Sequence, residues 1–370
     1  MELNRKAETN EDTLKSSQVE KHDPKKLFAK SRSVVSQNIQ SILEHINTKD
    51  DLENSIEPAK KVEEKEGVEG GNMERLFHVK ENYEAQTNHY RELGWLKERN
   101  GKEGIQDKEG NFYPMPTLQE VRSELNKKAA LLEYKETQSF KRFLLVPFGL
   151  SYVEMYKKLG KEYKRYQEDP DLGLYRTDAD KTKITKSIND TWFSEDEEME
   201  EEDLLYYEEH REKSELIQTQ TFPAWEIHIV PEKMTLPREG QGETIGDRPE
   251  IESDMRFGNY KKLLKGEFNH PDGKPIRDAE GLLVYRGETG LTPEIEVALA
   301  FVQLRENKQV LHDNENNPND AACALIECLT KYESIPVSHF SHDRAQVYLN
   351  VADLVDWSVD GGALSSVKVC

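Results

Sequence analysis

The chain closes with IPVSHFSHDRAQVYLNVADLVDWSVDGGALSSVKVC, Ile335 to Cys370, a stretch unlike the rest of the sequence. From Ser334 to Val367 there is no Lys and no Glu, although 33% of the chain is charged and those two residues supply most of that charge. The polar groups are short or ringed instead: Ser338, His339, Ser341, His342, Tyr348, Asn350 and a run of aspartates from Asp343 to Asp360. Apolar residues punctuate them at Phe340, Val347, Leu349, Leu354 and Trp357, and Ser365-Ser366-Val367-Lys368-Val369 reads as a final strand. Small polar and aromatic side chains between apolar anchors suit a contact surface, since Tyr and His offer area with few rotors to freeze. The same composition also fits a last pair of strands joined by polar turns.

Particular residues carry a family resemblance. Pro336, Arg344-Ala345-Gln346, Leu349, Gly362-Ala363 and the closing Ser365 to Val369 match a fixed framework, and most residues between them belong to the set reachable by rewriting the first two bases of asparagine codons. The tail thus resembles the variable repeat of proteins diversified by a retroelement, in which a C-type-lectin-like fold (shared with formylglycine-generating enzymes) ends in a mutable segment. PREGQGETIG (Pro237 to Gly246) and GLTPE (Gly290 to Glu294) are similar to a candidate-phyla bacterial branch of these proteins. The resemblance spans Glu74 to Cys370; Trp357 and the polar linker before Ala321 depart from the pattern. It implies a non-enzymatic ligand-binding protein with a variable segment over about 335–362. The implied surface is Val337, His339, Ser341, His342, Tyr348, Asn350, Val351, Asp353, Asp356, Ser358 and Asp360. The implied ligand is another protein or a surface glycan.

Upstream, low apolar content (35%) and a mean hydropathy of −0.86 predict that part of the chain is disordered. Residues 1 to 72 read as that tail, ending in the linker EPAKKVEEKEGVEGG. Within it, Leu27 to Ile46 has helical spacing, which fits a helix that docks on a partner or a transient helix with none. A helical module follows over 73–140. Met73 to Glu98 reads as one helix, Asn100-Gly101 as a turn into a small hairpin, and Thr117 with Glu120 as a capping box for a helix to about Glu136.

The remainder, 141–370, reads as the lectin-like domain. Phe143 to Phe148 is a buried strand, Ser151 to Gln167 an amphipathic helix, and the acidic run Ser194 to Glu209 a solvated face or loop rather than a calcium site. Trp225 to Val230 alternates as a strand with Trp225, Ile227 and Ile229 on one face, which places His228 on the other as a surface or edge histidine. Asn259 to Glu267 is a short helix and Glu280 to Arg286 an edge strand. Thr292-Pro293-Glu294 opens a helix to about Asn307 that buries Ile295, Leu299 and Val302. Ala321 to Leu329 is a core strand or helix. Helices first and short strands late, without repeated βα units, predict an α+β class and a loop-rich domain.

Chemistry is constrained by what these residues can do. A net charge of −21 argues against non-specific nucleic-acid binding. The sequence shows no bilayer-spanning run and no secretory leader, so the expectation is a cytoplasmic protein. Cys323, Cys328 and Cys370 make neither a disulfide framework nor a zinc signature, and read as small buried side chains in a reducing compartment. His339 and His342 lack a third ligand fixed by spacing, and no nucleophile-elbow sequence supports any Ser/His/Asp trio of the tail. No catalytic residue, metal or cofactor is assigned. A competing reading from another class is an intracellular adaptor or assembly protein, with Leu27 to Ile46 and the helices of 73–136 as binding elements and a merely structural tail.

Overall fold

The computed structural model describes residues 70–177, 180–193, 202, 204–206, 210–232, 257–266, 277, 283–314, 322–331, 333–353 and 361–370. The chain divides into two compact units, Met1–Glu64 and Lys65–Cys370, and every described residue belongs to the second. The charged tail with its 27–46 segment, the Gly-rich run 237–246 and most of the acidic run therefore lie outside the described residues.

The periodicity expected as one helix from Met73 folds as two, α1 (Gly70–Phe77) and α2 (Val79–Glu92). His78 breaks them apart in the left-handed region, at φ 46°. The carbonyl left over at Phe77 accepts from the Asn82 side-chain amide at 2.9 Å. Asn100 and Gly101, both at positive φ, turn β1 (Lys97–Arg99) into β2 (Lys102–Gln106), the residue pair that suits strand twist in a two-residue hairpin. A third strand, β3 (Phe112–Pro114), extends the expected hairpin to a three-stranded antiparallel sheet. Thr117 and Glu120 form the capping box of α3 (Leu118–Lys127), and the helix resumes after Lys128 as α4 (Ala129–Glu136).

Beyond this come β4 (Phe140–Val146), α5 (Tyr152–Glu168, with Ser151 as N-cap), β5 (Trp192–Phe193), β6 (Leu204–Tyr206), α6 (Lys213–Thr219), β7 (Glu226–Pro231), α7 (Phe257–Leu264) and β8 (Glu288–Gly290). Then follow α8 (Pro293–Asn307), β9 (Asp313–Asn314), β10 (Ala322–Ala324), β11 (Cys328–Thr330), β12 (Ser334–Ser341), β13 (Gln346–Asp353), β14 (Gly361–Gly362) and β15 (Ser365–Lys368). One sheet has the order β4-β7-β15-β8 and is antiparallel throughout. A second has the order β14-β10-β12-β13-β5, with β9 also on β12; its long central pair β12–β13 is antiparallel. Helices beside several antiparallel sheets make this an α+β fold.

Helix α8 lies at the centre. Every residue from Pro293 to Leu304 is buried, well beyond the three expected, because α5, β4 and the second sheet close around it. Its polar side chains have internal partners. Glu294 accepts from the Tyr206 hydroxyl at 3.0 Å and from Lys213 at 2.7 Å, and Glu296 accepts from Tyr156 at 2.6 Å and from Ser338 at 3.1 Å. Burial holds the Glu296 carboxyl above the usual range. Met73, Tyr90, Leu125 and Leu132 of the helical module belong to the same apolar core as β4, β7 and α8.

Four local expectations need correction. His228 is fully buried, since β7 runs between β4 and β15 and is covered on both faces. Leu204 to Tyr206, inside the acidic run expected to be solvated, form a strand paired with β11, with Leu204 and Tyr206 buried. Of the expected edge strand, Leu283 makes an isolated antiparallel bridge with Arg277 and Val284 to Gly287 form a turn, with Val284 and Tyr285 buried against α7 in a smaller second core; residues 280–282 lie outside the described residues. The segment expected as one core strand or helix forms, from residue 322 on, two short strands, β10 and β11, separated by a turn at Ile326-Glu327. Cys323 and Cys328 are buried free thiols, Cys370 is half-buried, and burial pushes the Cys370 thiol up to about 12.

Candidate functional site

The tail folds as the β12–β13 hairpin, and its register sorts the expected surface residues by face. Directly opposed residues of an antiparallel pair point to one side of the sheet. Val337 opposes Asn350, His339 opposes Tyr348 and Ser341 opposes Gln346, so these six share the outer face. Ser338, Phe340, Val347 and Leu349 share the inner face, where the Phe340 ring meets Tyr163 edge-on at 5.8 Å. Val351 opposes Pro336 on the inner side and packs against the main core. His342 is half-buried in the turn, and Asp353 is the last residue of β13. Asp356, Ser358 and Asp360 lie outside the described residues. Five of the eleven expected residues thus meet on one face.

That face is not uniformly open. Asn350 is exposed, Val337 and His339 are half-buried, and Ser341 and Tyr348 are buried rather than solvent-facing. Tyr348 is covered because three rings stack across the sheet. His339 lies parallel to it (9°) with centroids 5.2 Å apart, and Trp192 of β5 packs on it at 4.9 Å. The Arg344 guanidinium sits 5.5 Å from the centre of the same ring. The buried Tyr348 hydroxyl has no hydrogen-bond partner among the described residues. Chemically the accessible part of the row is the exposed Asn350 amide, which can donate and accept hydrogen bonds, beside the half-buried His339 ring. Trp192 could not be found from the tail's composition, because a two-residue strand has no periodicity and its partner lies far along the chain.

The hairpin is held mostly through main-chain atoms. Asn189 donates its backbone N–H to the Ala345 carbonyl (2.8 Å) and its side-chain amide to the Arg344 carbonyl (2.6 Å), and Lys186 donates to the Asp343 carbonyl. Phe340 N–H donates to the His312 carbonyl and Leu325 N–H to the Pro336 carbonyl, each at 2.8 Å. Such bonds persist whatever side chain stands at positions 343 to 345.

Elsewhere, Ser366, His228 and Glu226 line up like a hydrolytic trio. Ser366 Oγ lies 2.9 Å from His228 Nδ1, and Glu226 Oε2 lies 3.1 Å from His228 Nε2. All three have no solvent exposure, and Lys368 reaches Glu226 Oε1 at 2.6 Å. The cluster ties β15 to β7. Burial raises the Glu226 carboxyl, but Lys368 and His228 outweigh it and bring it to about 2. Burial holds His228 below its ordinary value. Both groups bind protons more readily in the unfolded chain, so both make stability fall as pH falls. The His228 share is lost as pH falls below about 6.5; the Glu226 share is complete above about 4.5 and is lost from there toward about 2. The Glu226 share corresponds to about 3 kcal/mol. Melting temperatures from about pH 7 to about pH 3 should therefore drop less steeply for Glu226→Gln than for the parent chain. Parallel curves would remove this cluster as a cause of acid lability.

No protein-family model matches the chain, and no curated protein or solved structure matches it. Among the described residues no helix is long and apolar enough to cross a membrane.

Proposed function

We propose that this chain is a ligand-binding display protein, in which a C-type-lectin-like scaffold presents the outer face of the β12–β13 hairpin to a protein or surface glycan. The supporting observation is a division of labour within the hairpin. Inner-face side chains and main-chain bonds fix its position, Val337 at one end of the outer row packs on the second core, and Asn350 in the middle of the row is exposed. The lectin-like assignment draws support from the sheet in which β4, the first strand of the 141–370 region, and β15, the last, are both joined to β7. Diversification by a retroelement would then change the ligand and leave the scaffold alone.

Two measurements test this. Asn350→Ser should shift stability by no more than about 0.5 kcal/mol, as for exposed sites. Phe340→Ala should cost about 3–5 kcal/mol. Equal sensitivity of the two faces would reject the display reading. At the DNA level, the codons for Val337, His339, Tyr348, Asn350, Asp353, Asp356 and Asp360 should end in C or T. A near-copy of the segment, differing almost only at its adenines, should lie beside a reverse-transcriptase gene. A Val337 codon ending in A or G, with no such copy nearby, would overturn diversification.

A further inference from the structure

A second feature, distant in sequence from the hairpin, has the form of a small-molecule site. Between the β2–β3 loop and helix α6 lies a cavity of about 480 Å³, within the usual size range of ligand pockets. Tyr113, Leu204 and Ile217 give it apolar walls. Its ionisable lining is unbalanced. Of the two lysines there, Lys108 pairs with Glu202, and Lys213 is engaged by Glu294 at 2.7 Å and by the Leu150 carbonyl at 2.6 Å. Asp107, Glu109 and Glu212 also line the cavity, and no Lys or Arg among the described residues pairs with them. Asp107 is fixed in place by Asn111 N–H (2.7 Å), the Asn111 amide (2.9 Å) and the Tyr113 hydroxyl (2.9 Å). The Tyr113 phenol, pushed up to about 12 by burial and then by that bond, stays a donor to Asp107.

We infer that this cavity binds a small organic cation of the diamine or polyamine class. Its ammonium groups would meet Asp107, Glu109 and Glu212, and its methylene chain would lie on Tyr113, Leu204 and Ile217. Three carboxylates without basic partners repel an anion. The apolar walls suit an alkyl chain, and among the described residues no three His, Cys, Asp or Glu side chains converge closely enough to hold a metal ion. The net charge of −21 also raises the local concentration of cations.

The test is calorimetric titration of the full chain with spermidine, with magnesium and triethylene glycol as controls. Saturable one-site binding of spermidine alone is the expected result. Glu212→Gln and Asp107→Asn should each weaken it by about tenfold. Ser214→Trp, an exposed change on the cavity lining, should abolish it while leaving the melting temperature in place. His339→Ser should have no effect, which keeps this site distinguishable from the hairpin. No saturable heat, equal binding of magnesium, or unchanged affinity in folded Glu212→Gln and Ser214→Trp chains would each overturn the assignment.

Discussion

Lys135→Met is expected to destabilise the fold by about 3–5 kcal/mol, because it breaks a buried ion pair and leaves a carboxylate behind. Lys135 Nζ meets Glu288 Oε1 at 2.5 Å, and neither side chain has any solvent exposure. The ammonium also donates to the Val284 carbonyl at 2.7 Å and to Gln138 Oε1 at 2.9 Å, while Ser365 donates to the other oxygen of Glu288. This junction ties α4 to β8 and, through Ser365, to the C-terminal strand β15. Removing the cation takes from the buried Glu288 carboxyl the charge that offsets its loss of solvent, which costs free energy. The double replacement Lys135→Met with Glu288→Met should recover much of the loss, since apolar side chains of similar volume replace buried pairs at little cost. Denaturant melts of the four chains make a double-mutant cycle. Additive losses would show that the two groups do not act as a pair.

What the sequence made legible was local. The Thr117–Glu120 box, the Asn100-Gly101 turn and the Thr292-Pro293 helix start each depend on residues within one turn of each other, and each stands where it was read. Burial on the second side of an element was not legible. Alternation around His228 correctly separated it from Ile227 and Ile229, but its exposure depends on Ser366 and on the strands flanking β7, which are remote in sequence. The same limit applies to α8, where Glu294 and Glu296 look like a solvated first turn until Tyr206, Lys213, Tyr156 and Ser338 are brought to them. For the hairpin, the tail's composition singled out His339 and Tyr348, whereas the third ring of their stack, Trp192, comes from a segment with no pattern of its own.

These long-range ties bear on whether the helical module of 73–140 and the domain of 141–370 unfold separately, and Trp225→Ala addresses that. Trp225 has no solvent exposure and is the largest fully buried side chain among the described residues. Its ring lies 6.5 Å from that of Tyr90 in α2, and its indole N–H donates to the Tyr113 carbonyl of β3 at 3.3 Å. It enters β7 directly, and β7 pairs with both β4 and β15. Truncation to Ala leaves a cavity at this meeting point and removes the donor from a carbonyl, so about 3–5 kcal/mol should be lost. Trp225→Phe keeps most of the volume and should cost less. Because the indole contacts both halves, the loss should appear as one transition moved to lower denaturant, with helix signal and aromatic fluorescence changing together. Two separated transitions, with only the later one shifted, would mean that 73–140 folds on its own and merely rests against the sheet. A single shifted transition makes the helical module part of the scaffold that carries the hairpin.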